Sequence, residues 1–213
     1  IKVKPVKSKT LKPGVGYLRI TAFNEYTDSA LQDHLRELVK ANKGKPLDGV
    51  VLDLRNNPGG LLNQAIAVAD DFLEQGEVVS TRGRIEGQNS RYSARSGDVL
   101  NGKPIVVIIN GGSASAAEIV AGALQDNKRA VTVGTKSFGK GSVQTVFNLP
   151  GGTGMRLTTA LYYTPSGRSI QAHGIEPDIE IEETPGSKKN GLREADLGGH
   201  LVNNQEKDKE TAE

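Results

Sequence analysis

The apolar positions of this 213-residue chain fall into short runs that switch between two periodicities. Tyr17-Leu18-Arg19-Ile20 is a short strand-like run, and Leu31, Leu35, Leu38 and Val39 then recur along one helix face opened by Ser29-x-x-Gln32. Val50-Val51-Leu52 is continuously apolar, as a strand covered on both faces must be, and Asn56-Asn57-Pro58-Gly59-Gly60 ends it with turn residues. Leu62, Ile66, Ala69 and Leu73 mark a second helix, closed by Gly76. Residues 104–110 form another buried strand, followed by Gly111-Gly112 and a helix carrying Ile119, Val120, Ala123 and Leu124 as far as Asn127. Three strand–loop–helix units in series predict an α/β core.

Segments 130–133, 143–147 and 157–164 are β-branched or aromatic and separated by glycine turns, so the second half is expected to be strand-rich. The polar, aperiodic segment 82–97 reads as a loop. Beyond Pro185 lysine, glutamate, asparagine and glycine dominate, with one weak helical stretch near 192–201. The pattern therefore predicts a core over residues 1–183 and a flexible or weakly helical tail over 184–213. Leucines on the weak helix read as a self-association segment, which makes a homo-oligomer the expected state.

Composition changes this picture little. An apolar content of 36% suits one globular domain with a substantial core. The formal charge of +2, from 27 basic and 25 acidic residues, directs the protein toward neither nucleic acid nor an anionic membrane. With no cysteine, disulfides, thiolate metal sites and a cysteine nucleophile are excluded. The longest apolar run, 105–109, is far short of the ~20 residues of a membrane span. The chain opens abruptly on strand-like alternation, Lys2-Val3-Lys4, which reads as a cut inside a longer protein.

The chemistry concentrates around Gly111-Gly112-Ser113-Ala114-Ser115-Ala116-Ala117-Glu118, which joins a buried strand to a helix. A serine on such a turn sits beside helix-start amides that suit a developing oxyanion, the logic of a nucleophile elbow without the G-x-S-x-G sequence. The bland alternative is a turn with a serine N-cap. His34, His173 and His200 lie on an amphipathic helix, in a polar turn and in the tail, and a surface role suits each. Lys140, set between Gly139 and Gly141, is the stronger base candidate. Desolvation penalises an ammonium, and a neutral lysine can take a serine proton.

Gly-Ser-Ala-Ser-x-x-Glu-Ile followed by Phe-Gly-Lys-Gly-x-x-Gln resembles the carboxyl-terminal processing, or tail-specific, serine protease family. In that family the serine stands three residues before the glutamate and twenty-five before the lysine, which selects Ser115 with Glu118 and Lys140. The resemblance implies that Gln144 orients the lysine and that Asp126 occupies an acidic position found in some members. Residues 54–60, beginning Leu54-Arg55-Asn56, resemble the second family signature, whose glycine amides complete an oxyanion hole. Ala116 with Gly59 or Gly60 would then hold the oxyanion, and Arg55 and Glu118 would support the site.

Segments 162–171 and 174–178 also match, so the likeness runs from about Gly14 to Glu183. It implies a crotonase- or Clp-protease-like core of β-β-α units, cleavage through an acyl-enzyme, and no metal or nucleotide cofactor. Its expected substrates are extended or partly unfolded proteins with free C-termini in the bacterial envelope, hence a periplasmic location. Gram-negative members work with lipoprotein adaptors. The PDZ domain that precedes the core in the family is not present in this chain, so substrate capture is expected to need more than these residues.

Two rivals remain. Residues 134–141 come within one residue of the phosphate-binding pattern G-x-x-x-x-G-K-[ST], but Gly141 replaces the magnesium ligand and 142–147 alternates like a strand. An inert core that captures extended peptides by β-addition is the other.

Overall fold

A computed structural model describes residues 4–84, 87, 89–181, 192–203 and 205. Strand β1 (Val6–Lys12) pairs antiparallel with β2 (Val15–Ile20), and helix α1 (Thr27–Ala41) then leads to β3 (Gly49–Asp53). Helix α2 (Leu62–Asp70) is followed by β4 (Glu77–Gly83) and β5 (Ser90–Ser93). Next come β6 (Ile105–Ile109), α3 (Ala116–Asp126) and β7 (Val131–Gly134). The hairpin of β8 (Ser142–Leu149) and β9 (Thr153–Tyr163) and the short β10 (Ile179–Glu180) complete the strands.

The α/β expectation holds. One sheet has the order β1-β2-β3-β6-β7-β10, parallel from β2 onward, and the other has the antiparallel order β5-β4-β9-β8. The continuous apolar runs become the central strands β3 and β6, because both faces of a parallel sheet are covered. Helix α3 is buried on every side from Ala116 to Gln125 and packs against α2, β4 and β7, which accounts for its small, apolar sequence.

Four sequence expectations need correction. Helix α1 starts at Thr27, two residues before the predicted Ser29 opening. Leu73 falls beyond α2, which ends at Asp70. Part of the predicted loop 82–97 is strand β5, whose polar residues pair antiparallel with β4 at an exposed edge where no apolar alternation is needed. The expected helix at 192–201 is a single 3₁₀ turn, Glu194–Asp196, leaving Leu192 and Leu201 exposed. The boundary drawn at 183/184, residues 184–191 and the end of the tail lie outside the described residues.

Asp71, just past α2, faces α1. Gln32 Nε2 donates to Asp71 Oδ1 at 3.1 Å and to Asp28 Oδ1 at 3.4 Å, so one amide bridges two carboxyl groups. Burial, with the nearby Asp28 charge, pushes the Asp71 carboxyl up to about 7. A folded-state pKa above the unfolded one contributes stability that is present below the ordinary value of 3.8 and lost as pH rises through about 7. Asp71→Asn is therefore expected to raise Tm at pH 8 and to change it little at pH 4. Equal shifts at both pH values would contradict this.

Candidate active site

Strands β3, β6 and β7 are adjacent and parallel, so the loops leaving their C-terminal ends converge on one edge of the sheet. These loops carry residues 54–60, 110–115 and 135–141, which hold most of the chemistry expected from the sequence. The first two are stitched together by side-chain amides. Asn110 Oδ1 accepts from Asn56 N–H at 2.9 Å, Asn110 Nδ2 donates to Asn56 Oδ1 at 3.1 Å, and Ala114 N–H donates to Asn57 O at 2.9 Å. Ser113 Oγ donates to Leu54 O at 2.8 Å, which fixes Ser113 as the structural serine of the pair.

Ser115 stands at the N-terminus of α3 with φ 53° and ψ −113°, a conformation that costs a non-glycine residue on the order of 1–3 kcal/mol. The surrounding contacts hold it there. Gly59, at φ +93°, packs onto this turn so closely that a Cβ would lie 2.8 Å from Ser115 Cβ and 2.9 Å from Ala116 N. Gly59 N–H donates to Asn57 Oδ1 at 2.8 Å. Of the two candidate glycines, Gly59 thus provides the close approach while its amide is engaged. No hydrogen bond engages the N–H groups of Gly60 or Ala116 among the described residues.

Glu118, one turn into α3, is completely buried. Its Oε2 accepts from Ser115 N–H at 2.8 Å and Lys140 N–H at 2.9 Å, while Oε1 accepts from Gly139 N–H at 2.7 Å and Ser137 Oγ at 2.5 Å. One carboxylate therefore holds the backbone of Ser115 and that of Lys140. Burial pushes the Glu118 carboxyl up to about 7, against the pull of hydrogen bonds from Ser137, Gly139, Ser115 and Lys140. A carboxylate offers about four acceptor positions, and all are filled here by these four donors. Serine followed three residues later by glutamate is the spacing of a capping box, the sequence signal that locates this reach-back.

The side chains are less closely set than the backbone. Lys140 is half-buried, its Nζ makes no ion pair or hydrogen bond among the described residues, and none joins it to Ser115 Oγ. Gln144, expected to orient the lysine, is exposed on β8 past a register shift between Val143 and Gln144, and no hydrogen bond joins it to Lys140. Asp126 does not reach the site. It lies at the far end of α3, some 16 Å along the helix from Ser115 at 1.5 Å per residue. There it pairs with Arg168 at 2.6 Å and accepts from Ser166 N–H at 2.9 Å. Burial would raise its carboxyl, but hydrogen bonds from Thr164 and Ser166 hold it below the usual range.

Arg55 turns back onto Asp53, Nε to Oδ1 at 3.0 Å and Nη2 to Oδ2 at 2.8 Å. Tyr17 Oη also donates to that buried carboxylate, at 2.6 Å. Arg55 therefore braces the end of β3. The phosphate-binding alternative fails on structure: a strand, not a helix, follows Lys140, and the amides of Gly139 and Lys140 are held by a carboxylate.

A model of peptidase family S41 matches residues 14–181. The chain belongs to that family. It is 54% identical over 213 residues to the carboxy-terminal-processing protease of Bartonella bacilliformis, covering 98% of this chain and 49% of that one. It is 45% identical over 171 residues to a carboxyl-terminal-processing protease of Picosynechococcus, covering 80% of this chain and 40% of that one. It thus spans about half or less of the length of these relatives. Among solved structures, a photosystem II D1 C-terminal processing protease matches with a TM-score of 0.74 at 36% identity, covering 85% of this chain and 49% of that one.

Glu118→Gln replaces one acceptor oxygen with a donor and strands buried donors that Glu118 satisfies. A loss of at least about 2 kcal/mol in unfolding free energy is expected. Urea denaturation measures it as a lower midpoint at unchanged m. An unchanged midpoint would show that the carboxylate is dispensable.

Proposed function

We propose that this S41 chain is the catalytic part of a serine endopeptidase that works with a Ser115–Lys140 dyad. The observation that carries the reading is the Glu118 carboxylate, which holds Ser115 N–H and Lys140 N–H on the same oxygen. Neutral Lys140 takes the Ser115 proton as Oγ attacks the scissile carbonyl. The N–H groups of Ala116 and Gly60 hold the oxyanion, with Gly59 supplying the close approach between their loops. Lys140 then protonates the leaving amine, and water releases the acyl group through the same lysine. Catalytic hydrogen bonds are commonly long before substrate binds, and on this reading Lys140 and Gln144 close on Ser115 when it does.

The substrates we propose are extended or partly unfolded C-terminal regions of envelope proteins, with a periplasmic site of action. Support comes from the processing proteases among the relatives. Support also comes from β8, an edge strand of its sheet that begins directly after Gly141 and pairs with no second strand among the described residues, so an extended chain could add beside Lys140. A lipoprotein adaptor and a homo-oligomer belong to the same proposal, as does dependence on a capture domain outside this chain.

In the full-length protein, Ser115→Ala and Lys140→Ala are each expected to lower kcat on an unfolded protein with a free C-terminus by at least about 10²-fold at near-native Tm. Cleavage at the wild-type rate by either variant would refute the dyad.

A further inference from the structure

Lys140 is held from a second side, by a residue outside the machinery described above. While Glu118 takes the amides of Gly139 and Lys140, the next amide, Gly141 N–H, donates to Gln171 Oε1 at 3.0 Å. Gln171 is fully buried. The approach depends on glycine, since a Cβ at position 141 would lie 2.2 Å from Gln171 N. Ala172 N–H donates to Gly139 O at 2.8 Å, tying the same two loops again.

The other end of the Gln171 amide faces the C-terminal segment. Gln171 Nε2 donates to Glu194 Oε1 at 3.2 Å and to Leu201 O at 3.1 Å, and Glu194 N–H donates to Phe138 O at 3.2 Å. Farther along, Gln205 accepts from Ser169 N–H at 2.8 Å and donates to Gly167 O at 2.8 Å. The described end of the chain is thus strapped across the 167–171 turn and the lysine loop.

We propose that Gln171 is a positioning residue for Lys140: its oxygen fixes the backbone on the C-terminal side of the lysine, and its NH₂ group makes that fixation depend on the docked residues 192–203. The proposal rests on Lys140 being the general base. Proton transfer requires heavy atoms about 2.6–3.2 Å apart. A displacement of about 1 Å can lower a rate by about 10²-fold. Gln171 is fully buried and bonds the backbone beside Lys140, so a positioning role predicts that its loss acts on kcat and leaves KM in place. The C-terminal segment thereby gains control over the base through Gln171.

The test uses the full-length protein and three variants. Gln171→Met keeps the shape and removes every hydrogen bond. Glu194→Pro removes both contacts of Glu194 without strain, because Arg193 is already extended and position 194 opens the 3₁₀ turn. Q171E/E194Q restores the Gly141 acceptor and exchanges donor and acceptor in the 171–194 pair, but leaves Leu201 O facing a carboxylate oxygen in place of the Gln171 donor. Readouts are kcat and KM on an unstructured peptide and hydrogen exchange of the Gly141 amide.

For Gln171→Met, kcat is expected to fall by about 10- to 100-fold with KM within about twofold, and Gly141 exchange to accelerate. Glu194→Pro should give a smaller fall in kcat of the same kind, and Q171E/E194Q should recover part of the rate. Faster Gly141 exchange at undiminished kcat in Gln171→Met would overturn the proposal. Lys140→Ala, measured in parallel, separates the two readings. If it is inactive while Gln171→Met is fully active, the positioning role alone falls; if it is active, both fall.

Discussion

The arrangement around Ser115 and Lys140 depends on one buried carboxylate whose four acceptor positions are filled by three backbone amides and a hydroxyl. A buried charge is costly unless it is fully hydrogen-bonded, and here the same bonds that satisfy Glu118 join the start of α3 to the loop after β7. The Ser115 turn is strained and the loop carrying Lys140 has no regular structure, so neither would hold its place alone.

The fold supplies what the carboxylate needs. Parallel strands β3, β6 and β7 lie side by side, so three loops distant in sequence leave the sheet at one edge. The Asn56–Asn110 pair and the Gly59 contact keep the first two loops together, and Gln171 buttresses the third from below. The opposite end of α3 is held by Asp126 and Arg168, so the helix that presents Ser115 is fixed at both ends.

The fold was legible from sequence where burial dictates composition. The apolar runs of β3 and β6 and the apolar positions of α3 placed those elements to within a few residues, because buried parallel strands and a buried helix tolerate little else. Strand β5 was not legible, since an exposed edge strand such as Ser-Arg-Tyr-Ser takes its conformation from its partner. Ser115, Glu118, Lys140 and Ala116 were reached through motif spacing, and the structure brings their backbones together. Asp126 came only from the family resemblance; eleven residues along a helix put it some 16 Å from Ser115, where it pairs with Arg168. Gln144 was not resolved into a contact, because a bulge sets which face of a strand a side chain takes. Gln171 gave no local signal: its bonds to Gly141 and to Glu194 and Leu201 are tertiary contacts between a turn and distant segments.

The most direct test of the Ser115–Lys140 account is a crystal structure of the full-length protein with Ser115 covalently trapped by a peptide boronate or phosphonate. The account predicts Lys140 Nζ within about 2.6–3.2 Å of Ser115 Oγ. It also predicts an adduct oxygen held by the N–H groups of Gly60 and Ala116, with the four bonds to Glu118 unchanged. An adduct in which Lys140 stays turned away from Ser115, with another side chain bonded to Oγ, would contradict it.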